Sequence, residues 1–350
     1  MIDPLAALGA APQGERLARI GASPNYRDGM FQNPVPTRMM TAPITSMMRR
    51  QFGGKEQRVP PVPVPIMPRT RESFAEPPAS GLRVTWLGHS STFIEMDGYR
   101  VLVDPVFGKR VSPTPFVGPK RFHPPPLPLS EMPALDAVII THDHYDHLDM
   151  EVVHALARSK AQDRLMWITT LGVGAHLERW GVPASKIAEL DWGDTAHVGA
   201  LRMTAQPARH FSGRGTTLNR TLWASWVVAG PVHRVFHTGD TGFFEGLGEI
   251  GRKFGPFDLS LIKIGAYDEM WPDIHLTPED AVRVHALVKG GLLLPIHWGT
   301  FNLAFHAWDE PPERLLKALE GQEVRVTIPR PGQSVEPAAT PELTPWWRKL

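Results

Sequence analysis

The chain has 350 residues, 42% hydrophobic and 21% charged, which is long enough to bury a large core. Lys and Arg total 37 against 36 Asp and Glu, so no basic excess supports broad nucleic-acid binding. With no cysteine, disulfides and thiolate zinc fingers are excluded, and any metal must be held by nitrogen and oxygen ligands.

The opening MIDPLAALGAAPQGERLARI starts acidic, lacks a basic leader and has only a short apolar run, unlike a secretory signal. No stretch approaches about 18 apolar residues, so no transmembrane helix is expected. The expectation is a cytoplasmic protein, with peripheral membrane contact left open. Residues 1–80 are rich in Pro, Arg and Met, and VPPVPVPIMPRTRESFAEPPASG should run extended. They read as an arm that wraps or lies on a domain, or that stays partly disordered.

The domain spans residues 81–335. Asp97-Gly98, between TFIEM and YRVLVD, signals a hairpin, because a type I′ turn needs positive φ at both central residues. Further strand candidates are DAVII, LMWIT, ALRMTAQPA, LWASWVVA, HRVFH, DLSLIKI, LLLPI and VRVTI. Helices alternate with them. MEVVHALARSK is one. TPEDAVRVHALVKG is another, with Thr277 as N-cap, Pro278 in the first turn and Gly290 as its stop. PPERLLKALEG is a third, ended by Gly321. Strands mixed with helices predict an α/β protein. A tail, 336–350, carries Trp346 and Trp347 and reads as a docked or partner-contacting end.

Four apolar runs end beside metal-ligand residues. His142 follows DAVII, His210 follows ALRMTAQPA, Asp240 follows HRVFHTG and His297 follows LLLPI. If these strands share a sheet edge, their ends converge, which is how α/β enzymes commonly build sites. The count suits two ions. His142 and His144 would close on one with His210, and Asp146 and His147 on the other with His297, while Asp240 could bridge both. A lone strand-end His is usually a satisfied residue and a lone Asp a turn former. HDHYDH, with three histidines in six positions, is not explained that way.

THDHYDHLD resembles the His-x-His-x-Asp-His signature of the metallo-β-lactamase superfamily. GLRVTWLGHSSTFIEMDGYRVLVDPVF, SPTPFVGPKRF, HTGDTG, FGPFDLSLIKIGAY, TPEDAVRVH and IHWGTF narrow the resemblance to one branch. That branch is the N-acyl-phosphatidylethanolamine-hydrolysing phospholipase D family with its bacterial RomA-like relatives, and the similarity runs from about Phe31 to Gly332. It implies a four-layered αβ/βα sandwich and two zinc ions, one on His142, His144 and His210, the other on Asp146, His147 and His297, bridged by Asp240. All ligands being nitrogen or oxygen, manganese or iron stays open.

Asp146, Asp240 and His275 are the catalytic candidates; His275 matches a family histidine near the substrate phosphate. Arg214 would neutralise a phosphate or sit solvated in its loop, and His89 would line the pocket or support the metals. Asp104 would orient a ligand histidine or form the turn before Pro105. Asp143 should face away, and His237 and His285 read as structural. The loop AYDEMWPDIH departs from the animal lipid enzymes where it should border substrate.

The implied reaction is attack of metal-bound hydroxide on a phosphodiester, giving phosphatidic acid and an N-acylethanolamine from N-acyl-phosphatidylethanolamine. A lactonase or another phosphodiesterase on the same site is the nearest alternative, and a non-catalytic lipid-binding or membrane-associated protein the next. The expected partner is a phospholipid or other phosphodiester, not nucleic acid; a homodimer stays open.

Overall fold

The computed structural model describes residues 6–114 and 116–350. The acidic opening of the chain and Pro115 of SPTPFVGPKRF lie outside them. In the arm, helices α1 (Gly14–Ala22) and α2 (Ile44–Gly53) flank a hairpin of β1 (Tyr26–Arg27) and β2 (Met30–Phe31). These short helices precede the run expected to be extended, and a helix of this length is set by what it docks against rather than by composition. The Pro-rich run beyond them carries one 3-10 turn, Arg71–Phe74. Ile20, Phe31, Val64 and Phe74 are buried, and Phe74 meets Phe93 edge to face with centroids 4.9 Å apart, so the arm lies along the domain.

Domain strands follow in two groups. The first is β3 (Leu82–Gly88), β4 (Ser91–Met96), β5 (Tyr99–Val103), β6 (Ala137–Ile139), β7 (Met166–Thr170) and β8 (Ile187–Leu190). The second is β9 (Thr195–Val198), β10 (Leu201–Gln206), β11 (Ser225–Ala229), β12 (Arg234–His237), β13 (Phe257–Lys263), β14 (Gly290–Ile296) and β15 (Arg325–Val326). A last strand, β16 (Ser334–Val335), returns to pair with β3.

The sheet orders are β16-β3-β4-β5-β6-β7-β8 and β15-β14-β13-β12-β11-β10-β9. In each, one half is antiparallel and the other parallel, from β5 to β8 and from β12 to β15. The β4–β5 turn is made by Asp97 and Gly98 at φ 53° and 86°, the double positive φ that the pair predicts.

Period-2 alternation sorts the side chains. Val84, Trp86, Ile94, Met96, Val101 and Val103 share a core with Met203, Trp226, Phe236 and Leu261 of the other sheet. The intervening Leu87, Phe93, Leu102 and Val138 pack outward with Val152, Val153, Leu156 and Leu177 from α3 (Met150–Ala157) and α4 (Gly174–Arg179). On the far side, α5 (Leu247–Phe254), α6 (Pro278–Leu287) and α7 (Glu310–Ala318) contribute Leu247, Ile250, Ala281, Val284 and Leu315. The result is helix, sheet, sheet, helix: the four-layered αβ/βα sandwich.

Thr277 caps α6 by accepting from the Asp280 amide, with Pro278 in the first turn. The helix ends at Leu287, and Gly290 opens β14 instead of stopping the helix. Trp346 and Trp347 are buried: Trp347 donates to Glu313 Oε1 at 2.7 Å and Trp346 stacks on Trp298.

Candidate metal centre

The parallel halves of the sheets place several strand ends at one edge. In the second sheet, β12 leads through Thr238 and Gly239 to Asp240, β13 ends at Lys263, and β14 leads directly to His297. In the first, β5 leads to Asp104, and β6 leads through Ile140 and Thr141 to His142. His144, Asp146 and His147 sit in the turn before α3, whose N-cap is Asp149.

Among the described residues these side chains fall into overlapping groups, two of which contain the expected ligand sets. In one, His144 Nδ1 lies 2.9 Å from His142 Nε2 and 3.3 Å from His210 Nε2. The far nitrogens of two of these rings are already committed. His210 Nδ1 donates to the Ile274 carbonyl at 3.0 Å. His142 Nδ1 faces Thr141 Oγ1 at 2.9 Å, and that hydroxyl spends its own hydrogen on Asp104 Oδ2 at 2.7 Å. Lone pairs are therefore left facing a common point, which a cation satisfies.

In the other set, Asp146 Oδ2 lies 3.5 Å from His147 Nε2 and 3.4 Å from His297 Nε2. His147 Nδ1 donates to Asp104 Oδ2 at 2.6 Å, so that in the neutral ring Nε2 is the acceptor. His147 Nε2 and His297 Nε2 are both buried without a hydrogen-bond partner. Orphaned buried atoms of this kind are costly unless something binds them. Asp240 spans the sets: Oδ1 is 3.5 Å from His147 Nε2 and 3.1 Å from His297 Nε2, while Oδ2 is 3.6 Å from His210 Nε2. Nitrogen and carboxylate donors in these numbers fit zinc, manganese or iron.

The local field follows from the same layout. Burial holds His142 and His210 well below the ordinary imidazole value, the neutral state a ligand needs. Burial also opposes charge on His147, but Asp240, Asp146 and Asp104 outweigh it and raise that ring. Burial works against ionised Asp240 and Asp146 too. It is overcome by His297, Lys263 and His147 at Asp240, and chiefly by His147 at Asp146, so both carboxyls lie well below the usual range. Three residues here hold positive φ without being glycine: His89 at 52°, Asp104 at 42° and His297 at 65°. Such strain costs about 1–3 kcal/mol each and concentrates at functional sites.

Residues 99–298 match the family model described as "Beta-lactamase superfamily domain". The chain belongs to the metallo-β-lactamase superfamily. An uncharacterised Mycobacterium tuberculosis protein is 48% identical over 98% of this chain and 92% of its own. The Caenorhabditis elegans N-acyl-phosphatidylethanolamine-hydrolyzing phospholipase D 1 is 37% identical over 70% of this chain and 71% of its own. Among solved structures, an isothiocyanate hydrolase from Delia radicum gut bacteria superposes with a TM-score of 0.57, at 20% identity over 73% of this chain and 98% of its own. This member of the superfamily is a metal-dependent hydrolase.

Of the supporting candidates, Asp104 orients His147 and accepts from the Thr141 amide. His89 Nε2 meets Asp146 Oδ2 at 2.9 Å, so it steadies a carboxylate of the centre; burial lowers its pKa to about 3. His275 lies over His210, centroids 5.1 Å apart, with Nδ1 3.6 Å from Asp240 Oδ2.

Arg214 requires a correction. It is buried, its Nε and Nη1 donate to the carbonyls of Ala7, Asp143 and Leu148, and it stacks on Tyr145. A loop with unpaired carbonyls needs such a donor, and that work holds the motif turn to the arm instead of meeting a phosphate. Asp143 turns to the Gly213 amide, Thr221 and His176. His285 bonds Ser260, and His237 accepts from the Gly239 amide.

Two residues were not singled out from the sequence. Lys263 is fully buried, 3.2 Å from Asp240 Oδ1. Burial lowers its ammonium to about 8 against the pull of Asp240. A lone lysine closing the apolar run LSLI was its signal. Asn33 clamps His210 from the arm: its Nδ2 donates to the His210 carbonyl and its Oδ1 accepts from the His210 amide, both at 2.8 Å. Its only signal was a place inside the family resemblance, which begins at about Phe31.

Proposed function

We propose that the protein is a binuclear zinc phosphodiesterase, with N-acyl-phosphatidylethanolamine as its substrate and phosphatidic acid and an N-acylethanolamine as products. The observation carrying the two-ion reading is the division of Asp240 between the ligand sets, Oδ1 toward His147 and His297 and Oδ2 toward His210. Zinc bound there supplies a Lewis acid for phosphoryl oxygens and lowers the pKa of water toward neutrality. His142, His144 and His210 would hold one ion, and Asp146, His147 and His297 the other. Asp104 keeps His147 in the tautomer that can ligate, and His89 fixes Asp146. The partly open residues of the cluster, His144, Asp146 and His275, are those a substrate can reach.

The choice of lipid is supported by the 37% identity to the nematode phospholipase D. Among the described residues no helix is long and apolar enough to cross a membrane.

The test is phosphatidic acid release from N-acyl-phosphatidylethanolamine in mixed micelles by the zinc-loaded protein, with Asp240→Asn as control. Release that disappears in the variant supports both metal chemistry and lipid class. Cleavage of an aryl phosphodiester or a lactone without lipid turnover keeps the metal centre and discards the lipid. Lipid binding with no turnover of any of them makes it a binding protein.

A further inference from the structure

Several surface arginines are paired, Arg38 with Asp273, Arg314 with Glu279 and Arg348 with Glu313. The outer face of the second sheet departs from that habit. Arg202 on β10 and Arg234 on β12 are exposed and form no ion pair among the described residues. Lys253 of α5, also exposed, has only the ring of Phe254, 5.2 Å away. All three cations line one cavity of about 290 Å³.

Strand register brings them together. Ala229 on β11 pairs with Arg202 on one side and with Arg234 on the other. Residues directly opposite share a face, and strands lie about 4.8 Å apart, so the two arginines start about 10 Å from each other across a single methyl group. Two residues along β10, on the same face, Thr204 lies opposite Thr195 of β9, and their hydroxyls bond at 2.8 Å. One hydroxyl hydrogen is spent between them and the other is left to donate. The end of α5 closes the cavity with Lys253 and Phe254. No carboxylate lines it. Asp258, on the neighbouring β13, gives its Oδ2 to the Arg234 amide at 2.7 Å and forms no ion pair with the guanidinium.

Like charges gathered on one face repel, and an anion between them relieves the repulsion. One planar guanidinium satisfies a carboxylate. A tetrahedral phosphate dianion accepts from several directions, which suits two guanidinium forks, an ammonium and a hydroxyl.

We propose that this concavity binds a phosphate monoester, held by Arg202 and Arg234 from either side of Ala229 and by Lys253 from the end of α5. It is not the metal centre. Arg202 lies near the start of β10, whose far end leads to His210, and Arg234 opens β12, whose far end leads to Asp240. The cavity is at the opposite end of these strands, roughly 15–20 Å away. The ester arrives either as a small soluble molecule or as the headgroup of phosphatidic acid, and the same grip serves both. None of this depends on the substrate reading above.

The test is a titration of zinc-loaded, nitrogen-15-labelled, full-length protein with glycerol phosphate at constant ionic strength, read at the backbone amides of Arg202, Ala229 and Arg234. Saturable shifts are expected there. Succinate, a dianion without phosphate, should leave these amides in place. Arg202→Gln combined with Arg234→Gln should weaken the binding at least roughly tenfold, with zinc content and thermal midpoint as in wild type. Both side chains are exposed, so the variant should fold. The source is read from vesicles. Sedimentation on phosphatidic acid vesicles beyond that on phosphatidylglycerol vesicles of equal surface charge, and lost in the double variant, assigns the lipid headgroup. Glycerol phosphate shifts without such sedimentation assign a soluble ester. Shifts as large with succinate, shifts undiminished in the double variant, or neither shifts nor sedimentation in the wild type would overturn the proposal and leave a solvated basic face.

Discussion

Around His142, His144 and His210 the three ligand atoms are ring nitrogens, steadied from behind by Thr141 and the Ile274 carbonyl. Around Asp146, His147 and His297 the set includes a carboxylate, and a second one, Asp104, stands behind His147 at 2.6 Å. The opposite pKa directions follow: His142 and His210 are driven down by burial, while His147 is raised because three carboxylates outweigh it. One half is built to be neutral before metal arrives, the other to be anionic. With an ion in each half, as proposed, the anionic half should hold its own more tightly, and Asp240 is the group whose loss both should feel.

Asp240→Asn gives the largest effect. One amide oxygen cannot serve both sets, so metal content should fall below two per chain and activity by about a thousandfold. Elemental analysis beside the turnover assay checks it; an Asn variant that keeps both ions and its rate would remove Asp240 from its shared position.

Asp104→Asn should act chiefly on the anionic half, since its link to His142 in the other half runs through the Thr141 hydroxyl. Asn can offer its amide hydrogens to His147 Nδ1, which turns that ring the wrong way round for ligation through Nε2. Affinity for the tighter ion should drop roughly 10–100-fold in a chelator competition, with a smaller loss at the weaker ion. Equal losses at both ions would contradict the separation of the halves.

Asn33→Asp probes the neutral half from the arm. Aspartate still accepts from the His210 amide but cannot donate to its carbonyl, so one of two hydrogen bonds is lost, about 0.5–1.5 kcal/mol. The weaker ion should bind up to about tenfold less well. Metal binding that is unaltered at both ions would leave Asn33 a role in the arm only.

The same contrast explains what could be read in advance. The clustering of these side chains was legible because His142, His210, Asp240 and His297 each follow an apolar run, and HDHYDH has no structural use for so many rings. Lys263 was not, since a single lysine ending LSLI reads as a strand leaving the core, and only the neighbouring Asp240 gives it a buried partner. Arg214 misled for the converse reason: a cation just past a ligand suggests a phosphate, but the carbonyls it serves come together only in the folded chain. The strand β9 escaped because Thr195–Val198 lies at a sheet edge and is only partly buried. The arm's helices are short, and they are fixed by contacts made more than a hundred residues away.

Those contacts yield the smallest effect and a pH dependence. Asp273 accepts from the Arg38 amide and guanidinium and pairs with Arg209 at 2.8 Å, joining arm to domain. The Arg38 hydrogen bonds hold its carboxyl below the usual range. A carboxyl depressed in the folded state contributes its stability above the unfolded pKa, about 4, and loses it as pH falls through the lower folded value. Arg38 is largely exposed, so solvent screens the pair and only local loosening is expected, not unfolding. The reporter is the Thr41 amide, which donates to the Met270 carbonyl at 2.7 Å. Its hydrogen exchange, corrected for the intrinsic rate, should speed up below about pH 4. Asp273→Asn should show the faster exchange already at pH 7 and lose the acid step. Protection in that variant that matches wild type at pH 7 would mean that the arm is held by its buried apolar residues, Phe31 foremost, and not by this ion pair.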